Sequence, residues 1–434
     1  MTAHFHTNRS VLATFPETTV CEPPADWAAS GVAFDHLGCD VSGVKQSLLV
    51  DPTMELRAKG MGKRLRIKSV RNVDWSFRIG LTGVGAETAE DSQVAATNLS
   101  NLLAWGFGAQ HRTYTRAVVS SANAYTITVG AGLTTGFVAG ALVAIEDTTS
   151  PAAQYAGKPV LRQIASVDAG TDTITLTEAC PFSLAAGDVL HATISIYVDE
   201  DVLQDAVRSG SLYTRNFYHR RVMGSNVDTV YQLEGTVASV AFANLARGQL
   251  PELVFNCLSA NFRHSAVDSL AAATFSSVVG SPQLSNGPDL LCWISDASGT
   301  TATMVDVREA AFEPGITRTR EETTTEANSR FEGMSTYSAT FGDTKFTTTL
   351  AGYLPAWYAS LADGDEFRIT FTQPGPGTGA GKGWGLVCPR MQLAMTPTLA
   401  AGGTTFGAAL EFNAMLPALA STELGTSPFV IGLF

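Results

Sequence analysis

Seven histidines, at positions 4, 6, 36, 111, 191, 219 and 264, are the first place to look for chemistry. His4 and His6 share the N-terminal segment, and the other five stand apart along the chain. There is neither an H-E-x-x-H run nor a C-x-x-C followed by histidines, the spacings that gather ligands round a zinc ion, so no zinc site is expected. No serine sits in a G-x-S-x-G elbow, the strained turn that presents a nucleophile. The loop Pro374 to Gly383 (PGPGTGAGKG) contains Gly381-Lys382 and invites comparison with a phosphate cradle. That cradle needs G-x-x-x-x-G-K-[ST] between a strand and a helix. Here Pro376 holds the first glycine position, Gly383 replaces the metal-binding hydroxyl, and Trp384 to Leu393 reads as a strand. The loop is read as a hairpin tip able to reach a neighbouring subunit. No catalytic, cofactor-binding or metal-binding residue is nominated, no cofactor is expected, and the chain is read as a non-enzyme.

Charged clusters are the next candidates. Glu321, Glu322 and Glu326, with Arg318, Arg320 and Arg330 nearby, read as a solvated loop or as a salt-sensitive contact between stacked subunits. A basic stretch, Arg57, Lys59, Lys63, Arg64, Arg66, Lys68 and Arg71, interrupts a strand-like segment and reads as an exposed or subunit-facing edge. The six tryptophans are spread singly, which suits buried cores better than a carbohydrate platform. A glycosidase would also need paired carboxylates in a cleft.

The elements that would hold such groups follow from the bulk of the chain. Its 434 residues suggest two or three domains. Hydrophobic residues at 45% with charged residues at 16% exclude a disordered chain and suggest surface covered by other subunits. A formal charge of −12 disfavours a grip on nucleic-acid phosphates, though not a wall around them. Cys21, Cys39, Cys180, Cys257, Cys292 and Cys388 form no C-x-x-C pair and read as buried free thiols from a reducing cytoplasm. A basic start with an apolar run is missing, so no secretion signal is expected, and no membrane span is read.

Along the chain, residues 1–45 read as an extended arm. Val73, Trp75, Phe77 and Ile79 alternate with Asp74, Ser76 and Arg78, the period of a half-buried strand. Ala95 to Trp105 reads as a helix capped by Asn98 or Ser100 and stopped by Gly106 and Gly108. Between 114 and 197, short strands at Asp/Gly turns suggest an inserted β-barrel or sandwich, in which GFVAGALVAIED and AAGDVLHA are similar stretches. Strands follow at Val230 to Val240 and Gln249 to Phe262, then a strand-like Phe331 to Thr349, a helix at Leu350 to Leu361 and a strand at Glu366 to Gln373. Gly385 to Met395 and Thr405 to Met415 read as a closing pair. The order suggests an internal repeat: a helix ending near Trp105 or Trp357, then strands carrying Phe255-Asn256-Cys257 or Phe412-Asn413-Ala414.

Val230 to Val237 (VYQLEGTV), Gly248 to Phe255 (GQLPELVF) and the closing Pro389 to Leu393 with Phe412 resemble the tail tube (major tail) proteins of long-tailed, siphovirus-like bacteriophages. That resemblance implies a mainly β fold: tube-type β-sandwich or barrel domains with short flanking helices, duplicated if the repeat is real, plus the inserted module. The expected domains are an arm at 1–45, a first tube-type domain at 46–113 and 198–265, the insert at 114–197, and a second domain at 266–434. The C-terminal Pro428 to Phe434 would be an arm docking, like residues 1–45, on adjacent rings. The implied partners are copies of the chain in rings of three or six, other tail proteins at the tube ends, and genomic DNA passing without specific binding; no membrane is involved. The implied location is the virion tail, after synthesis in a host cytoplasm. The competing readings are another virion β protein (baseplate, tail hub or capsid decoration) and a carbohydrate-binding β protein.

Overall fold

Strict alternation builds this molecule. In the strand Val73–Gly80, Val73, Trp75, Phe77 and Ile79 are buried while Asp74 and Arg78 are exposed, as a period of two requires. The protein is described by a computed structural model over residues 10–16, 32–34, 36–40, 54–57, 60–63, 73–81, 83, 93–204, 214–221, 229–245, 249–265, 274–275, 290–296, 302–322, 335–350, 363–374, 383–402, 405–417 and 422–434. Leu350, the start of the expected helix at 350–361, ends a strand; the rest of that helix, most of the Gly-rich loop, Glu326, Cys21, His4 and His6 lie outside these residues.

In chain order, β1 (Ser10–Pro16), β2 (Val32–Phe34), β3 (Gly38–Asp40), β4 (Met54–Arg57), β5 (Gly60–Lys63) and β6 (Val73–Gly80) precede helix α1 (Asn98–Phe107). Then come β7 (Gly108–Arg112), β8 (Arg116–Ala117), β9 (Ser120–Asn123), β10 (Thr126–Thr128), β11 (Leu142–Glu146), β12 (Val160–Asp168), β13 (Thr173–Leu176), β14 (Val189–His191) and β15 (Ile194–Val198). Short helix α2 (Glu200–Gln204) leads to β16 (Arg215–Arg221), β17 (Thr229–Ala243), β18 (Glu252–Ser265) and β19 (Thr274–Phe275). The rest holds β20 (Leu291–Asp296), β21 (Ala302–Val305), β22 (Val307–Glu313), β23 (Ile316–Glu322), β24 (Ser335–Phe341), β25 (Lys345–Leu350), β26 (Glu366–Gln373), β27 (Trp384–Leu393), β28 (Thr398–Gly402), β29 (Thr405–Ala414), α3 (Glu423–Thr426) and β30 (Val430–Leu433).

The fold is mainly β, and its three large sheets curl in the same way. The first runs β19-β2-β1-β16-β17-β18-β6-β3, the module β8-β14-β11-β12-β13-β10-β9, and the third β21-β20-β26-β27-β29-β25-β22 with side branches. In each, two strands consecutive in the chain border opposite ends of the path: β2 and β3, β8 and β9, β21 and β22. One interrupted strand therefore brings the two ends of each sheet together. In the module the backbone shows it directly, since Val118 N donates to Asp188 O on one side and Val119 N to Thr128 O on the other.

The first and third sheets repeat one order. From the interrupted strand, the first passes through β1, β16, β17, β18 and β6; the third passes through β20, β26, β27, β29 and β25. The correspondence also holds in chain order, and each repeat sends a hairpin out between its interrupted strand and the next one, β4–β5 in the first and β23–β24 in the second. Registers agree as well. The row Val240, Phe255, Phe77, Cys39 in the first repeat matches Leu393, Phe412, Phe346, Phe312 in the second. The Phe-Asn dipeptides seen in the sequence are thus equivalent: each Phe faces inward against a Phe of the next strand, and each Asn faces out.

Helix α1 packs between β17 and the β7–β15 pair. Its cap is Thr97, not Asn98 or Ser100: Ser100 N donates to Thr97 Oγ1 at 3.1 Å and Thr97 N to Ser100 Oγ at 3.0 Å, a reciprocal box. It runs on to Phe107 because Gly106 suits the helix's close approach to β17, where a Cβ would overlap Val240. Gly108, at φ 114°, ends it.

Several expected boundaries move. Residues 10–16 of the expected arm are β1, an interior strand between β2 and β16 with Leu12, Ala13 and Phe15 buried. The expected C-terminal arm is β30, paired on one edge with β15 and on the other with β27. The module's sheet spans 116–191, inside the expected 114–197, and Ile194–Val198 belongs to the third sheet. β19 pairs with β2, so the first sheet extends past the expected boundary at 265. The closing pair is not a simple hairpin. β27 meets β29 over only Met391, Gln392 and Leu393, and β28 pairs with the rest of β29.

The branch has a local cause. Pro389 and Arg390 form a bulge in β27 opposite Arg368, and proline in a sheet interior is tolerated at such a bulge because it has no N–H to give the ladder. Before the bulge, Trp384 to Val387 pair with β30; after it, the strand pairs with β29. β30 is buried throughout, with Ile431 and Leu433 in the core shared by both repeats and Val430 in the module's core. Ile431→Ala should therefore cost about 2–5 kcal/mol in urea unfolding followed by tryptophan fluorescence. Gly385→Ala should also destabilise, because a Cβ there falls 2.6 Å from the Phe371 carbonyl oxygen. Wild-type midpoints for both would show that this sheet is not the one described.

Candidate assembly surface

The chemistry-bearing residues are placed structurally. His191 Nε2 lies 2.7 Å from Glu146 Oε2, and His111 Nε2 lies 2.9 Å from Gly136 O. The histidines do not all stand apart: His36 and His219 have ring centroids 6.1 Å apart, and His219 shares a cross-strand row with Tyr231 and His264. A linear search could not pair them, because the sheet register brings them together. Among the described residues no group of three or more His, Cys, Asp or Glu could hold a metal. Burial pushes the Cys180 and Cys292 thiols up to about 12 and raises Cys257 and Cys388 as well, so these thiols are poor nucleophiles. Trp75, Trp105, Trp293 and Trp384 are buried. A hollow of about 270 Å³ between the repeats is lined by Asn244, Leu245, Gln249, Glu309–Ala311 and Thr347–Thr349, where Glu309 is the one ionisable group among the described residues. Among the described residues no helix is long and apolar enough to cross a membrane.

The most concentrated polar chemistry joins the module to the third sheet, where no local motif marks it. Arg162 and Glu178 have fully buried side chains 3.6 Å apart, and the Arg162 guanidinium lies 4.6 Å from the Trp293 ring centroid. Thr370 Oγ1 donates to Glu178 Oε2 at 3.0 Å, and Arg368 Nη1 donates to Thr177 O at 2.7 Å. Arg162 Nε donates to Ala179 O at 2.9 Å. Further along the same joint, Leu142 N donates to Ser195 Oγ at 2.8 Å and Ala144 N to Thr193 Oγ1 at 3.2 Å. A buried pair of this kind fixes position more than it adds stability, but removing one member strands the other. Glu178→Ala should cost about 3–5 kcal/mol, and Glu178→Gln less, since it keeps an acceptor for Thr370. Equal unfolding midpoints for the two variants would contradict this account.

The outer faces of the two repeats differ sharply. On the first, hairpin β23–β24 lies across β17–β18. Arg318 N donates to Ser239 Oγ at 2.8 Å, Tyr337 Oη donates to Gly235 O, and Tyr337 packs with Val237 and Ala260. Of the expected solvated loop around Glu321, Glu322 and Glu326, residues 320–322 are strand and 323–330 lie outside the described residues; its bordering Arg318 is buried, with its guanidinium donating to Leu203 O. On the second repeat the matching face carries Met395, Met415 and Leu416, exposed by 55%, 37% and 70%. Arg390 Nη1 donates to Leu416 O at 3.0 Å and Arg390 pairs with Glu366 at 2.5 Å, while Asp363 and Asp365, just before Glu366 in the chain, are exposed. The Arg390 hydrogen bond holds the Glu366 carboxyl below its ordinary value. Hairpin β4–β5, which carries Arg57 and Lys63, pairs with no other strand among the described residues.

A second acidic surface gathers Asp199, Glu200 and Asp201 near enough to Glu423 for their charges to act on it. Desolvation first, then the charges of Asp199, Asp201 and Glu200, raise the Glu423 carboxyl above its ordinary 4.5. A carboxyl raised on folding destabilises while it is charged, and the penalty fades as pH falls through the raised value. Glu423→Gln should thus raise the melting temperature at pH 7, with the gain shrinking toward pH 4.5. A gain independent of pH, or a loss at pH 7, would contradict this account. No protein-family model matches the chain, and no curated protein matches it.

Proposed function

We propose that this chain is a structural virion protein whose copies stack in rings to form the tail tube of a long-tailed bacteriophage, a conduit for DNA. The observation that carries the reading is the repeated strand order: one chain holds two equivalent curled sheets, so three chains present six like units around an axis. Each curled sheet is filled by its own side chains, among them Phe77 and Phe255 in one and Phe346, Phe371 and Phe412 in the other. Any channel must therefore lie between copies. A net charge of −12 suits a wall that DNA slides past instead of sticking to. Because β1 and β30 are built into the chain's own sheets, ring-to-ring contacts in this reading do not draw on those two strands.

Negative-stain electron microscopy of the purified full chain, together with sedimentation velocity, tests this. Hollow rods or stacked rings, with an opening that admits a DNA duplex, are the expected result. A monodisperse monomer at high concentration would overturn it, and single rings that never stack would make the chain a hub or baseplate component instead.

A further inference from the structure

We propose that the seam between the module and the third sheet is a binding site for internal water, held between two arginines, a glutamate and two hydroxyls. The inference stands apart from the tube reading. Cross-strand register lays out the site. Ser295 stands opposite Arg368, Trp293 opposite Thr370 and Leu291 opposite Thr372, three rungs along β20 and β26. Trp293 lies under the Arg162 guanidinium and Thr370 donates to Glu178, so this face of the sheet looks into the module. A period of two puts Ser295, Arg368 and Thr372 on the same face. Thr372 also stands opposite Gly385, where the module's Leu161 packs against the sheet. Ser295, Arg368 and Thr372 are buried, as are Arg162 and Glu178 on the module's side, none of the five more than 8% exposed.

Five atoms of this seam have no hydrogen-bond partner among the described residues: Arg162 Nη2, Arg368 Nε, Glu178 Oε1, Ser295 Oγ and Thr372 Oγ1. Left dry, each would cost free energy on folding, and buried polar groups in native interiors are nearly all satisfied. The other atoms of these groups are engaged: Glu178 Oε2 by Thr370, Arg162 Nε by Ala179 O, Arg162 Nη1 by Leu161 O and Arg368 Nη1 by Thr177 O. Chemistry selects the ligand. Guanidinium N–H groups only donate and a carboxylate oxygen only accepts, so one ligand that serves both must do both. Water does. An anion accepts only, and the charges leave it nothing to balance, since Glu178 and Asp296 both act on Arg368 against the two arginines. Leu161 holds the module against the sheet by apolar contact, and bridging water beside it fixes the module's angle through directional bonds.

A density map of the unmodified full chain, fine enough to show ordered water, tests this directly. Water should lie about 2.7–3.2 Å from Arg162 Nη2 or Glu178 Oε1, and at the same range from Ser295 Oγ or Thr372 Oγ1. A seam closed by protein groups alone, or an anomalous peak there after a bromide soak, would overturn the proposal. Urea unfolding gives a second readout whose sign decides. Thr372→Val keeps the side chain's shape and Ser295→Ala removes one atom, so both are expected to fold. If each hydroxyl holds water, either variant should raise the unfolding constant by about fivefold. If the hydroxyls are buried dry, deleting them removes an unsatisfied group, and an unchanged or higher midpoint in both variants would count against bound water.

Discussion

Most of this architecture depends on β30 having a partner on every side. Its edges are closed by β15 and β27, one face looks into the core shared by both repeats, and the other looks into the module. Alternation assigns the faces: Ile431 and Leu433 enter the shared core, while Val430 and Gly432 turn toward the module. Gly432 matters because Leu161 of the module sits 3.0 Å from where a Cβ would be. β15 obeys the same parity. Ile194, Ile196 and Val198 face the shared core, whereas Ser195 reaches the module as a hydrogen-bond acceptor. A strand buried on both faces has no room for compromise, which is why the chain's last residues are among its most enclosed.

That burial also explains how the repeats diverge. In the first, β17 and β18 pair along nearly their whole length, from Val230 with Ser265 to Ala243 with Glu252. In the second, the equivalent β27 and β29 part after three residues, and β30 fills the released edge of β27 while β28 fills that of β29. An unfilled edge there would leave a row of backbone groups without partners inside the molecule, so opening the pair requires both replacements at once. The first repeat has a bulge on the corresponding strand, at Glu234–Gly235 opposite Asn216, yet keeps its hairpin. A bulge therefore permits the branch without forcing it.

Local pattern made some of this legible and left the rest hidden for a physical reason. The strands around Trp75 and Phe77, the hairpin at 230–262 and the Gln373–Trp384 hairpin were readable because period-two burial writes itself into neighbouring residues. The Phe-Asn echo was readable too, since equivalent positions in two copies face the same demands. β1 and β30 look like arms in the sequence, because a short apolar segment looks the same whether its own sheet or a neighbour receives it. At the start of α1, Thr97, Asn98 and Ser100 are all chemically able to cap, an ambiguity that only φ and ψ resolve. The Arg162–Glu178 joint had no sequence signal at all. Its members lie on separate elements, and burial of a charge depends on what folds over it. The outer face of the second repeat was equally silent, because exposure of Met415 depends on a hairpin that, among the described residues, lies over the first repeat only.

The module's place follows from the same topology. In each repeat the chain must cross from the strand at one end of the path (β6 or β25) to a strand several positions away (β16 or β26). Such a crossing leaves the sheet and passes over the end of the curl, where helix α1 covers the first repeat's core. It is the connection whose lengthening disturbs no hairpin. The first repeat carries its additional domain there, from β7 to β15, and the two strands that frame the insertion pair with each other, Gly108 with Val198 through Arg112 with Ile194. The frame then recruits β30 and, through it, β27 of the other repeat. An insertion into one repeat has thereby become the part that fastens both together, so removing the module would leave the polar face of β15 and the buried Arg368 without the groups that satisfy them.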